Sequence, residues 1–114
     1  MALAGPSATQ ELDDWGYRAG AGPDECKISG VFISKADGVK TGLWECTPGS
    51  FPAEKRANTE SVYIISGRVR ITDLDESDGD GRECGPGDSF VLEKGSSVRW
   101  TVLETCRKFF VIAE

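Results

Sequence analysis

The stretch 51-FPAEKRANTESVYIISG-67 decides the fold. Its second half alternates like a strand and closes on a glycine. A carboxylate, Glu60, stands at the strand's entrance, and three formal charges, Glu54, Lys55 and Arg56, crowd just upstream. If Glu60 faces inward, Val62 and Ile64 face inward with it, while Ser61, Tyr63 and Ile65 face out. That outward set is itself largely apolar, and a strand apolar on both faces needs cover on both. The expected second layer is either the N-terminal segment around Trp15 and Tyr17 or another subunit, so a homodimer is the expected assembly.

Outward from this strand, glycine and proline punctuate the chain at short intervals, with runs rich in Val, Ile, Phe and Trp between them. Strands are expected near 26–33, 39–47, 61–66, 68–74, 81–84, 89–92, 97–103 and 107–113. No window carries a helical apolar period, so the pattern predicts an all-β sandwich or barrel. Residues 1–12 read as a flexible N-terminal arm, with little to bury, and 13–114 as one domain. The acidic loop DLDESDGDG (73–81) fails as a calcium loop. Counting from Asp73, the glycine of position 6 is Asp78 and the glutamate of position 12 is Cys84. It reads as a solvated hairpin loop.

The 114 residues suffice for one core, and 39% hydrophobic with 28% charged residues is the balance of a globule. No run approaches the ~20 apolar residues of a membrane span. The N-terminus lacks the basic and apolar regions of a secretory signal, so a cytoplasmic chain is expected. A net charge of −6, unbroken by any basic stripe, makes nucleic acid an unsuitable partner. Cys26, Cys46, Cys84 and Cys106 form no CxxC, and histidine is absent. The four thiols read as reduced, mostly buried small hydrophobes rather than as ligands or a redox pair.

Two segments carry a family resemblance. The first runs from Gly49 through Glu60 to Gly67; the second is Gly87-Asp88-Ser89-Phe90-Val91-Leu92-Glu93-Lys94-Gly95, followed by Val98. Together they resemble the two cupin motifs, which implies a single-domain, RmlC-like jelly-roll β-barrel. The strings GLWECTPGSF, TESVYIISGRVRITD, GPGDSFVLEKG and RWTVLETCRKFFVI are similar to single-domain cupins grouped with ureidoglycine aminohydrolase and with ethanolamine-utilisation cupins. Trp44, Trp100 and Arg107-Lys108 belong to that match.

Metal cupins hold their ion with imidazoles and one glutamate, because neutral imidazole is the commonest ligand for such ions. Here the resemblance leaves Glu60 as the one retained ligand position. The His-x-His positions fall on Glu54 and Arg56, or on Ala53 and Lys55, and the third histidine falls on Val98. A guanidinium beside Glu60 repels a divalent ion by several kcal/mol across ~4 Å at an effective dielectric of 20. No metal and no cofactor are therefore expected, and a cation from Arg56 or Lys55 is expected to stand in for the ion.

The first functional reading is a barrel that binds a small zwitterionic, carboxylate or ureido-type molecule. Its binding residues are Trp44, Glu54, Arg56, Glu60, Val98 and Trp100, with Val62 and Ile64 beside them. The second is an enzyme, isomerase-like or ureidoglycine aminohydrolase-like, with Glu60 as catalytic acid or base. The third is an assembly module built on the outer apolar face.

Overall fold

The structure, a computed structural model, describes residues 9–75 and 81–113. Its strands are β1 (Asp13–Tyr17), β2 (Lys27–Ala36), β3 (Val39–Cys46), β4 (Gly49–Ala53), β5 (Thr59–Asp73), β6 (Arg82–Cys84), β7 (Ser89–Leu92) and β8 (Val98–Ala113). The described residues contain no helix. Hydrogen bonding runs β1-β2-β3-β8-β5-β6, with β4 added to β8 and β7 to β5, and every pair is antiparallel.

Two strands serve in two sheets. The first half of β5 pairs with β7 and with the C-terminal half of β8, which in turn carries β3, β2 and β1. The second half of β5 pairs with β6 and with Val98–Val102 of β8, which also carries β4. The inner faces close on each other: Trp100 of one sheet lies 5.4 Å from Trp44 and 5.9 Å from Phe90 of the other. This is the expected jelly-roll barrel.

The shared strands bend where their register slips, between Ile64 and Val69. Gly67 makes the bend possible. Its φ is +88°, and a Cβ there would lie 2.1 Å from the Thr105 carbonyl oxygen. The expected breaks within 61–74 and 97–113 are thus corrected: each is a bulge inside one continuous strand, because the crossing partner keeps the ladder going on both sides. Two further strands escaped the pattern. β1 is short, and β4 contains Pro52, which fits a strand bonded along one edge only.

Alternation along β5 holds. Glu60, Val62 and Ile64 are buried, whereas Ser61 and Tyr63 are exposed. β1 lies at the far end of its sheet from β7, so Trp15 and Tyr17 do not cover the outer face of β5. Gln10 accepts a hydrogen bond from Arg107 Nη1 at 2.8 Å, tying the end of the expected arm to β8; its residues 1–8 lie outside the described residues.

Cys26, Cys46 and Cys106 are fully buried thiols of the core and Cys84 is partly buried. Burial pushes Cys106 up to about 11, so it stays protonated at neutral pH. Of the acidic loop, residues 76–80 lie outside the described residues. The Asp73 carboxylate accepts from Asp75 N, closing a turn, and the Asp75 carboxylate accepts from Ser97 N, tying the loop to the segment before β8.

Replacing Gly67 with alanine adds left-handed strain of about 1–3 kcal/mol to a backbone clash. We expect a lower urea midpoint for that variant with an unchanged slope; unfolding at the wild-type midpoint would show that the bend tolerates a side chain.

Candidate functional site

The cluster of charge before β5 divides at one turn. Lys55 adopts φ +46° and its N–H bonds Ser97 Oγ at 2.9 Å, so the chain reverses and sends neighbouring side chains to different sides. Glu54 and Lys55 are exposed, and Arg56 turns inward. The Arg56 backbone is pinned by Arg56 N to Ser96 O at 3.0 Å and Gly95 N to Arg56 O at 2.8 Å. Its Nη2 donates to Glu60 Oε1 at 2.6 Å.

The other oxygen of Glu60 is also taken. Lys108 Nζ, from β8, donates to Glu60 Oε2 at 2.7 Å, and both side chains are buried, at 7% exposure each. Lys108 pairs with Ile64 across the ladder and Glu60 with Ile112, so the two lean toward each other along the inner face. The ammonium lies 4.4 Å from the centres of both the Trp44 and the Trp100 rings. Ring faces carry partial negative charge, so this cage replaces part of the hydration that Lys108 gives up.

Burial alone would push the Glu60 carboxyl up, but the Lys108 ammonium and then the Arg56 guanidinium outweigh it, and the group is held below the usual glutamate range. Burial pulls Lys108 below the ordinary lysine value; Glu60 opposes that shift and Arg56 reinforces it.

These three residues floor a cavity of about 230 Å³ lined also by Trp15, Arg18, Phe32, Trp44, Phe51, Ala53, Trp100, Phe110 and Ile112. Trp15 reaches it through a bulge. The β1–β2 register slips between Asp14 and Gly16, freeing Trp15 from the ladder. It lies over Gly30, where any Cβ would meet its ring at 2.3 Å. Arg18 caps the other side, 4.9 Å from the centre of the Phe51 ring.

Of the residues read from sequence, Trp44, Arg56, Glu60 and Trp100 come together here. Glu54 lies instead on a neighbouring outer recess with Arg18 and Arg56. Val98 faces a different cavity, among Ile71, Cys84, Phe90 and Leu92, while Val62 and Ile64 are core. The sequence reading missed Lys108 as a site residue, and Arg18 and Trp15. Lys108 had a signal: it shares the inward parity of Cys106 and Phe110 in an otherwise apolar run. Asp88 of the second motif is structural. Its carboxylate accepts from Gly85 N at 2.8 Å, and Gly87 and Asp88 bond the Ile64 backbone.

The EutQ-like cupin domain family matches residues 33–110. The chain belongs to that family. No curated protein matches it by sequence. Among solved structures, an ethanolamine utilization protein Q from Salmonella typhimurium superposes with a TM-score of 0.70 at 17% identity, covering 99% of this chain and 92% of that one. The Clostridium difficile EutQ protein gives 0.66 at 19% identity, over 77% and 68% of the two chains. The polyketide cyclase RemF from Streptomyces resistomycificus gives 0.74 at 19%, over 99% and 80%. At these identities the likeness is one of fold.

The donor set does not suit the metal of other cupins. Both Glu60 oxygens are bonded to cations, and among the described residues no three Cys, Asp or Glu stand together as an ion would need. Nor is any described helix long and apolar enough to cross a membrane.

The charge arrangement makes an asymmetric prediction. Glu60→Gln strands two cations, one of them fully caged, and should cost about 3–5 kcal/mol; Lys108→Met leaves the Arg56–Glu60 pair intact and should cost less. Because the folded pKa of Glu60 is depressed, its contribution is present above the ordinary glutamate value and is lost as pH falls through the lower folded value. Urea midpoints taken from pH 7 downward should therefore fall more steeply in the wild type than in Glu60→Gln. Equal midpoints for the two variants would contradict this charge balance.

Proposed function

We propose that this EutQ-like cupin binds a small polar molecule in the cavity above Glu60, with Lys108 and Arg56 supplying the positive charge that an ion supplies in metal cupins. The observation that carries this reading is the double engagement of Glu60, at 2.6 Å by Arg56 and 2.7 Å by Lys108. A divalent ion at Glu60 would have to displace both cations. The cavity, at about 230 Å³, falls below the ~300–1,000 Å³ of drug-sized pockets and fits a metabolite of one ring or a short chain.

Catalysis by Glu60 as a general acid or base is the weaker reading. A carboxylate held ionised, with both oxygens bonded, is a poor proton carrier near neutral pH. In the same proposal the chain works as a homodimer: Tyr63 and Val91, neighbours on the outer face of β5 and β7, are 47% and 57% exposed, and a second copy would cover them.

Elemental analysis of purified protein should find transition metal far below one atom per chain. A ligand at 100 times its Kd should add about 2.7 kcal/mol of stability, visible as a raised melting temperature. Stoichiometric metal that resists chelation, lost in Glu60→Gln, would overturn the proposal. Sedimentation equilibrium should return twice the chain mass.

A further inference from the structure

The reading above leaves open which kind of small molecule the cavity takes, and its charge pattern narrows the choice. The lining holds three cations, Arg18, Arg56 and Lys108, against one carboxylate, Glu60. In a chain of net charge −6, this is a local surplus of the opposite sign. Screening over about 8 Å at physiological salt means that an occupant of the cavity feels these near charges more than the distant acidic surface.

The surplus is not evenly placed. Lys108 is satisfied, by Glu60 on one side and two indole faces on the others. Arg56 is not. Its Nε–H is buried and has no hydrogen-bond partner, although its Nη2 is bonded to Glu60. A guanidinium cannot shed this proton, so the donor persists at any physiological pH and needs an acceptor oxygen. Arg18 is exposed at the same rim and forms no ion pair among the described residues. Both arginines line the cavity and also the outer recess beside it, so they stand between the two. Glu54 is the carboxylate that lines that recess with them among the described residues.

The alternatives are less well served. An ammonium group, alone or in a zwitterion, would seek a carboxylate, and Glu60 has no free oxygen. It would also seek ring faces, and those of Trp44 and Trp100 already carry Lys108. A neutral ureido group satisfies the orphan donor but leaves the surplus charge unanswered. The remaining wall is apolar and mostly aromatic, with Trp15, Phe32, Phe51 and Phe110 beside Ala53 and Ile112; its rings are set at angles, Phe32 edge-to-face on Phe110, which suits a small apolar ring.

We infer that the ligand is a small aromatic carboxylate, its carboxylate held between Arg56 and Arg18 at the rim and its ring among Trp15, Phe32 and Phe110. This rests on the small-molecule reading and sharpens it.

The test uses the full chain at 150 mM salt (~8 Å screening) and four probes sharing one phenyl ring: phenylacetate, phenethylamine, phenylalanine and phenylurea. Phenylacetate alone should quench the tryptophan fluorescence saturably and raise the melting temperature. In ¹H–¹⁵N spectra it should shift the Arg56 Nε–H peak, assigned by its loss in Arg56→Lys. Arg18→Gln, an exposed change that leaves the fold intact, should weaken phenylacetate roughly tenfold, as for loss of one charge-assisted bond. If the amine, the zwitterion or the urea binds more tightly, the anionic assignment falls while the small-molecule reading stands. If phenylacetate binds with Arg18→Gln unaffected and the Arg56 peak unmoved, the assigned anchor is wrong. If none of the four binds, both readings fall.

Discussion

One buried carboxylate organises this barrel. Glu60 is largely withdrawn from water at the floor of its cavity, and the two cations bonded to its oxygens make an ionised group tolerable there. Arg56 and Glu60 are neighbours, in the turn before β5 and at its start, whereas Lys108 comes from β8, 48 residues further on. Each strand must therefore hold its register for the charges to meet. A slip of one residue in β8 would turn Lys108 to the outer face and leave Glu60 with Arg56 as its one cation. The ion group thus couples a chemical feature of the cavity to the alignment of the two longest strands.

The rings around the cavity answer the same need. Lys108 would be costly to bury beside aliphatic side chains alone, and the Trp44 and Trp100 faces lower that cost. Those indoles come from opposite sheets, so the cage is complete only when the barrel is closed. Trp15 adds a wall by a different route, through a bulge on β1 and a glycine beneath it.

The fold was largely legible because it rests on patterns that sequence carries directly. Alternation around Glu60 put Val62 and Ile64 inside and Tyr63 outside, as they are. Short strands between glycines pointed to a barrel, and the two motif segments pointed to a cupin. What could not be read depended on backbone detail. Whether Arg56 or Lys55 faced Glu60 turned on a left-handed φ at Lys55, which no spacing reveals. Lys108 was overlooked because a lysine is taken to face water; its inward place shows in the parity it shares with Cys106 and Phe110, although the alternation from Val98 is interrupted at the exposed Glu104. Trp15 leaves its ladder through a bulge, and alternation is blind to bulges. Val98 followed from motif position, yet it lies on the far side of Trp100 from the charged cluster.

The place of β8 in the sheet has a consequence for how the molecule comes into being. It is the last described strand to leave the ribosome, yet β3, β4 and β5 all pair with it. Until it emerges, those three strands lack their shared partner, and only the β1-β2-β3 meander and the pairings of β5 with β6 and β7 are open to the chain. Closure of such distant segments is slow compared with local structure. The barrel therefore closes only once β8 is available, as one late event rather than strand by strand.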